Sequence, residues 1–227
     1  MRRTLMNSLL ETMRDNFRFR ERVAIFEIAH VYLPKEGQEL PDEPRRLAIA
    51  MSGPRDERSW LTNPSELMDF YDLKGVVEAL RTHLGVEDYV FEPGEHPTFH
   101  PGRTAFLRVA GTEIGVMGEV HPLVRESFDL LEQPVCLLEF DLEALLSQAH
   151  LIRHLRPIPR LPGVRQDIAL IVDEEIVARK VQEEIVKAGG KLLAEAIIFD
   201  LYRGEQIPAG KKSLAYALTY RAADRTL

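Results

Sequence analysis

The sequence predicts an α+β protein in which antiparallel strands outnumber helices. Large and small residues alternate strictly over residues 212–220, a pattern typical of a strand with two different faces. Most of the strand-like segments are joined by hairpin-like connections, which favours antiparallel pairing. The segment 154–166, HLRPIPRLPGVRQ, contains three prolines and few residues that could pack, so it predicts a boundary between two domains.

The first domain, expected over residues 1–150, begins with a helix over 4–17. Its periodicity places five residues on one face: Leu5, Leu9, Thr12, Met13 and Asn16. The apolar run 23–33 then predicts a buried strand whose single acid, Glu27, points inward. A later helix is the clearest, since Asp69 is a suitable N-cap and Gly85 a suitable end. The remaining strands of this domain are predicted over residues 45–53, 105–111, 112–122 and 135–142.

The second domain is expected over residues 166–227, after a linker over 151–165. Its elements follow the order strand, helix, strand, strand, over residues 167–173, 178–188, 193–202 and 212–221. In the last strand one face carries the larger side chains Leu214, Tyr216, Leu218 and Tyr220. This order matches the first part of a ferredoxin-like unit, without its last helix and strand.

Composition and charge limit the classes of function. With 45% hydrophobic and 29% charged residues the chain resembles an ordinary globular protein, and no apolar run reaches the roughly 18 residues of a membrane span. The single cysteine, Cys136, lies in an apolar strand and is expected in the core of a cytoplasmic protein. Residues 151–227 hold 13 basic against 10 acidic side chains in a chain of net charge −7, which predicts an anionic partner there.

Five segments, in order, closely resemble the C-terminal region of the bacterial phenylalanyl-tRNA synthetase β subunit. They are DFYDLKGVVEAL (69–80), FHPGRTA (99–105), MGEVHP (117–122), IPRLPGVRQDIALIVDE (158–174) and IIFDLYRGEQIPAGKKSLAYALTYRAADRTL (197–227). The resemblance implies a class II synthetase-like antiparallel sheet with flanking helices, followed by a ferredoxin-fold anticodon-binding domain. Because the family's β subunit is several times longer, the chain is expected to be a fragment at both ends.

The resemblance also implies a function. The whole enzyme charges tRNA(Phe) with phenylalanine, uses ATP and Mg²⁺, and works as an α₂β₂ assembly in the cytoplasm. This part is expected to bind no cofactor, to act as a non-catalytic scaffold for the α subunit, and to bind tRNA. The alternative is a ferredoxin-like regulatory module that binds a small ligand. The segment VDEEIVARK (172–180) argues against it, since the segment offers acids and no glycine.

No catalytic or metal site is predicted in the first domain. Class II chemistry requires fixed arginines at the phosphates of ATP, and the nearest match to the first arginine signature, NFRFRERVAIFE (16–27), lacks the required spacing. Its arginines are interpreted as a solvated helix end or a subunit contact. His96 and His100 have a spacing that zinc ligands can use, but Pro97 and Pro101 oppose the helix that would align them.

The candidate contacts with the tRNA backbone are five cations at strand ends and in the linker: Arg160, Arg165, Arg203, Lys211 and Lys212. Cations in such places are suited to phosphates, the sequence-independent part of RNA binding. The two lysines are equally compatible with an ordinary turn. Tyr202, Tyr216 and Tyr220 are candidate stacking surfaces for a base, although the alternation favours the core for the last two.

Overall fold

A computed structural model describes residues 1–61, 66–152, 159, 161–222 and 224–227. The chain divides into two compact units, Met1–Arg153 and His154–Leu227. Residues 153–158 and 160, which make up much of the predicted linker, lie outside the described residues, as does the candidate Arg160.

The N-terminal unit contains a six-stranded antiparallel sheet with the order β1-β2-β6-β5-β4-β3. Its strands are β1 (Val23–His30), β2 (Arg45–Ser52), β3 (Tyr89–Pro93), β4 (Phe99–Val109), β5 (Thr112–Val120) and β6 (Val135–Asp141). Its helices are α1 (Met6–Asn16), α2 (Phe70–Leu84), α3 (Pro122–Ser127) and α4 (Leu142–Leu146). The antiparallel pairing and the α+β class are therefore confirmed.

Helix α1 covers one face of this sheet through a stripe centred on Leu9 and Leu10. Leu5, Leu9 and Met13 are buried as predicted, but Thr12 is exposed and its hydroxyl donates to the Ser8 carbonyl at 2.8 Å. The predicted face was therefore wrong at Thr12, because the apolar side chains turn the buried stripe toward Leu10.

Helix α2 begins and ends as predicted. The Asp69 carboxylate accepts the backbone N–H groups of Tyr71 and Asp72 at 2.8 and 3.2 Å, and Gly85 closes the helix with a positive φ of 71°. Leu73 and Val77 then pack on the sheet face opposite α1. Local capping thus fixes where α2 begins and ends.

Strand β1 corrects the prediction of a buried strand over 23–33. It lies at the edge of the sheet, and on one face Phe26 is 71% and Ile28 49% exposed. Glu27 points to the α1 face, as expected, where it accepts from Ser8 Oγ at 3.1 Å and pairs with Arg2 at 2.7 Å. The covered face of β1 is therefore the one toward α1.

Strand β4 begins at Phe99, six residues before its predicted start. The ladder with β5 shifts register between Phe99 and Thr104, so Pro101 and Gly102 fall in an irregularity of the strand. A proline is tolerated there because no regular ladder hydrogen bond is lost.

The C-terminal unit has the predicted element order. It consists of β7 (Val164–Asp173), α5 (Ala178–Gly189), a short 3₁₀ turn (Gly190–Leu192), β8 (Leu193–Tyr202) and β9 (Lys211–Tyr220). The strands form an antiparallel sheet in the order β7-β9-β8, with α5 packed on one face. Strand β7 begins three residues earlier than predicted, because its ladder with β9 extends to Val164 opposite Tyr220.

Candidate nucleic-acid interface

The central strand β9 gives the sheet of the C-terminal unit two unlike faces. Toward α5 it presents Leu214, Tyr216 and Leu218, all buried. The opposite face carries only small side chains along the middle of this strand: Ser213, Ala215, Ala217 and Thr219. We call this second face the open face. Larger apolar side chains flank it on the outer strands at Ile171 and Ile197, about half exposed.

The tyrosines separate according to these faces. Tyr216 is fully buried, and its hydroxyl donates to the Ala178 carbonyl at 2.7 Å, so its core assignment is confirmed. Burial raises the pKa of this phenol. Tyr220 packs against the same core, whereas Tyr202 is 45% exposed and lies opposite Ser213, on the open face. Of the three tyrosines, only Tyr202 thus has its ring on the open face.

Two of the candidate cations, Lys211 and Arg203, stand beside carboxylates. Lys211 Nζ lies 2.5 Å from Asp173 Oδ1. Arg203 donates to Glu174 Oε1 from Nε at 3.0 Å and from Nη2 at 2.6 Å. All four side chains are substantially exposed, so solvent screens both pairs.

Arg165 lies on β7 opposite Thr219, which places it on the open face. It is exposed, and it forms no ion pair with any described residue. Among the four predicted contacts that the structure describes, it is therefore the exposed cation without a carboxylate beside it.

Lys212 is only 8% exposed, which sequence reasoning did not anticipate. Its position shares the α5-facing side of β9 with Leu214, and its Nζ donates to the Glu174 carbonyl at 2.7 Å. The alternation of β9 already held this signal, since 212 and 214 have the same parity. A direct contact of Lys212 with RNA stays a prediction, and its geometry favours a structural role.

The open face is not uniformly basic. By strand register it also carries four acids: Asp167, Asp173, Glu195 and Asp200. Its positive groups lie toward the ends of the strands, at Arg165 and Lys211. Asp167 lies opposite Ala217 and Asp200 opposite Ala215, so the middle of the face combines small side chains on β9 with one acid on each flanking strand, and the cations lie at the rim.

In the N-terminal unit several of the residues considered for chemistry have structural partners. Arg22 Nε donates to the Pro54 carbonyl at 3.2 Å, and Arg18 lies 3.8 Å from Asp15. Glu119 pairs with Arg103 at 2.6 Å. Burial raises the pKa of the Cys136 thiol to about 12, as expected for a core cysteine.

The part of the chain that the structure describes contains no group of three or more His, Cys, Asp or Glu residues that could hold a metal ion. None of its helices combines the length and apolar character needed to cross a membrane.

Comparisons with known proteins cover both units. A family model of the phenylalanyl tRNA synthetase beta chain CLM domain matches residues 1–142, and one of the ferredoxin-fold anticodon binding domain matches residues 159–227. The chain is 46% identical over 231 residues to the phenylalanine–tRNA ligase beta subunit of Symbiobacterium thermophilum and 39% identical over 230 to that of Clostridium acetobutylicum. All of this chain is covered, but only 25% and 27% of those two proteins. A solved structure of pyrrolysyl-tRNA synthetase from Desulfitobacterium hafniense matches 64% of this chain and 48% of its own, with 21% identity and a TM-score of 0.48.

Proposed function

The chain belongs to the phenylalanyl-tRNA synthetase β-chain family, and we propose that its C-terminal unit binds the anticodon region of tRNA(Phe). The match of residues 159–227 to the ferredoxin-fold anticodon binding domain supports this proposal. The observation that carries it is the open face, with small side chains in the centre and cations at the rim.

The open face suits an unpaired stretch of RNA. Small side chains at Ala215 and Ala217 leave room for flat bases, and Tyr202 offers a ring for stacking. Arg165, Arg203 and Lys211 are the cations that would position the sugar–phosphate backbone, a task that needs charge and no base recognition.

For the N-terminal unit we propose a scaffold with a class II synthetase-like sheet and no catalysis of its own. In this proposal the α subunit of an α₂β₂ assembly handles ATP, Mg²⁺ and phenylalanine, and the assembly works in the cytoplasm. The partners of Arg18 and Arg22 within the unit support a structural use of these cations. The exposed Phe26 and Ile28 offer apolar surface that a subunit contact would bury.

A salt-series titration of the chain with tRNA(Phe) and a non-cognate tRNA tests the RNA-binding proposal. We expect affinity to fall with salt, and Lys211→Ala to weaken binding several-fold. Lys187→Ala is the matched control, because Lys187 is also an exposed lysine paired with a carboxylate, Glu184, but lies on α5. Equal losses in the two variants, or no binding at low salt, would contradict the proposal.

A further inference from the structure

Both rim cations that have acidic partners find them in one short segment. Asp173 ends β7 and Glu174 follows it directly; the first pairs with Lys211 and the second with Arg203. In sequence these partners lie 38 and 29 residues apart. The strand pairing therefore brings two adjacent carboxylates to the two cations at the end of the β8–β9 hairpin.

The backbone of Glu174 is fastened independently of its carboxylate. Its N–H donates to the Gly210 carbonyl at 2.9 Å, and its carbonyl accepts from the buried Lys212 Nζ at 2.7 Å. Glu174 is thus held at the hairpin even when its side chain is released. This gives Lys212 a role that its burial allows: it positions the counter-anion of Arg203.

The carboxylate itself is ionised under ordinary conditions. The hydrogen bond from Arg203 lowers the pKa of Glu174, and the charges of Arg203 and Lys212 add to this effect, although desolvation opposes it. An ionised carboxylate that accepts two N–H groups from one guanidinium occupies the same donors that an RNA phosphate uses.

We propose that Asp173 and Glu174 are built-in counter-anions of the RNA-binding rim, which occupy at Lys211 and Arg203 the places that phosphodiester groups take in the complex. The inference rests on the proposed function and specifies how its site is controlled. Binding of the RNA backbone exchanges a carboxylate for a phosphate at each cation, and no covalent bond changes. The two acids lower the affinity of the rim for any anion, because a ligand must displace them before it can contact Lys211 and Arg203.

The exchange has a signature in the salt dependence. When a phosphate displaces the carboxylate that is paired with a side-chain cation, the carboxylate becomes free. The free carboxylate then takes up a cation from solution. Fewer ions are then released overall, so the salt dependence of the wild type is shallower than its number of phosphate contacts implies. Replacing Asp173 or Glu174 with a neutral residue restores the full contribution of the corresponding phosphate contact to the salt dependence.

The test compares Glu174→Gln with Glu175→Gln in the full chain, by the salt-series titration with tRNA(Phe). The two substitutions remove the same charge at neighbouring exposed positions, but only Glu174 has an ion pair with Arg203. We expect Glu174→Gln to tighten binding about two- to fivefold, the range set by a solvent-exposed pair, and to steepen the salt slope by up to about 0.7–0.9. Glu175→Gln should give a smaller change through long-range charge alone.

The same substitutions in an Arg203→Ala background complete a double-mutant cycle. They also distinguish a failure of the inference from a failure of the proposed function. If the inference holds, Glu174→Gln gains no more than Glu175→Gln does in that background, because the cation that Glu174 pairs with is absent. If Glu174→Gln and Glu175→Gln have equal effects while Arg203→Ala still weakens binding, Glu174 is not a counter-anion of the rim. The proposed RNA-binding function would then still stand. If neither wild type nor Glu174→Gln binds RNA, or Arg203→Ala and Lys211→Ala have no effect, both the inference and the proposed function are wrong.

Discussion

Replacing Tyr216 with phenylalanine removes one oxygen from the centre of the C-terminal unit. The ring remains, so no cavity forms, and the loss is confined to the hydrogen bond of 2.7 Å to the Ala178 carbonyl. Ala178 begins α5, so this bond ties the start of the helix to the central strand. A buried hydrogen bond of this kind contributes about 0.5–1.5 kcal/mol net to the free energy of unfolding.

Hydrogen exchange followed by mass spectrometry measures this loss where it occurs. We expect the amides of β9 to exchange about two- to tenfold faster in Tyr216→Phe, since about 1.4 kcal/mol corresponds to a factor of ten. Tyr202→Phe is the matched control: it removes the same atom from a side chain that is 45% exposed. The reasoning is refuted if both variants exchange alike, or if Tyr216→Phe leaves β9 unchanged.

Two further predictions concern the N-terminal unit. Gly53→Ala should lower the free energy of urea unfolding by at least about 1 kcal/mol more than Gly37→Ala does. Both glycines have positive φ, but only at Gly53 would the new Cβ meet backbone, 2.3 Å from the Glu21 carbonyl oxygen. Equal losses in the two variants would contradict this prediction. Asp72→Asn should flatten the fall in stability on acidification. Desolvation would raise the pKa of Asp72, but hydrogen bonds with Arg55 and Asp69 and the positive charge of Arg55 lower it overall. The stabilisation that the Asp72 carboxylate provides is therefore present above its unfolded-state pKa of about 4 and is lost as the pH falls through the lower folded-state pKa. If the loss of stability between pH 6 and pH 3 is equal in the wild type and in Asp72→Asn, this prediction is wrong.

Sequence reasoning succeeded where a local signal determines the structure. The Asp69 cap and the Gly85 end located α2, and the alternation over residues 212–220 located the two faces of β9. The family resemblance is likewise confirmed by matches over residues 1–142 and 159–227. Each of these signals is contained within a few neighbouring residues or in an ordered set of segments.

The exposure of β1 could not be obtained in this way. Its apolar run is the same whether one or both faces are covered, and only the strand order shows that β1 lies at the edge of the sheet. Helix α2 packs on the central strands, so Phe26 remains exposed although its composition suggests a core residue. Burial of a strand is thus a property of its neighbours, which the strand's own sequence does not encode.

The charges of the candidate site show the same limit in another form. Counting basic residues in the C-terminal half suggested free positive charge, but two of those cations are paired with Asp173 and Glu174 and a third, Lys212, is buried. The parity of β9 could have placed Lys212 beside Leu214. The pairing with the acids depends on the β7–β9 register, which joins residues nearly 40 positions apart. The contribution of a cation to binding therefore depends on the anion that the fold places beside it. A count of charges treats Glu174 only as one more acid that weakens RNA binding, whereas in our proposal it determines whether Arg203 is available to a phosphate.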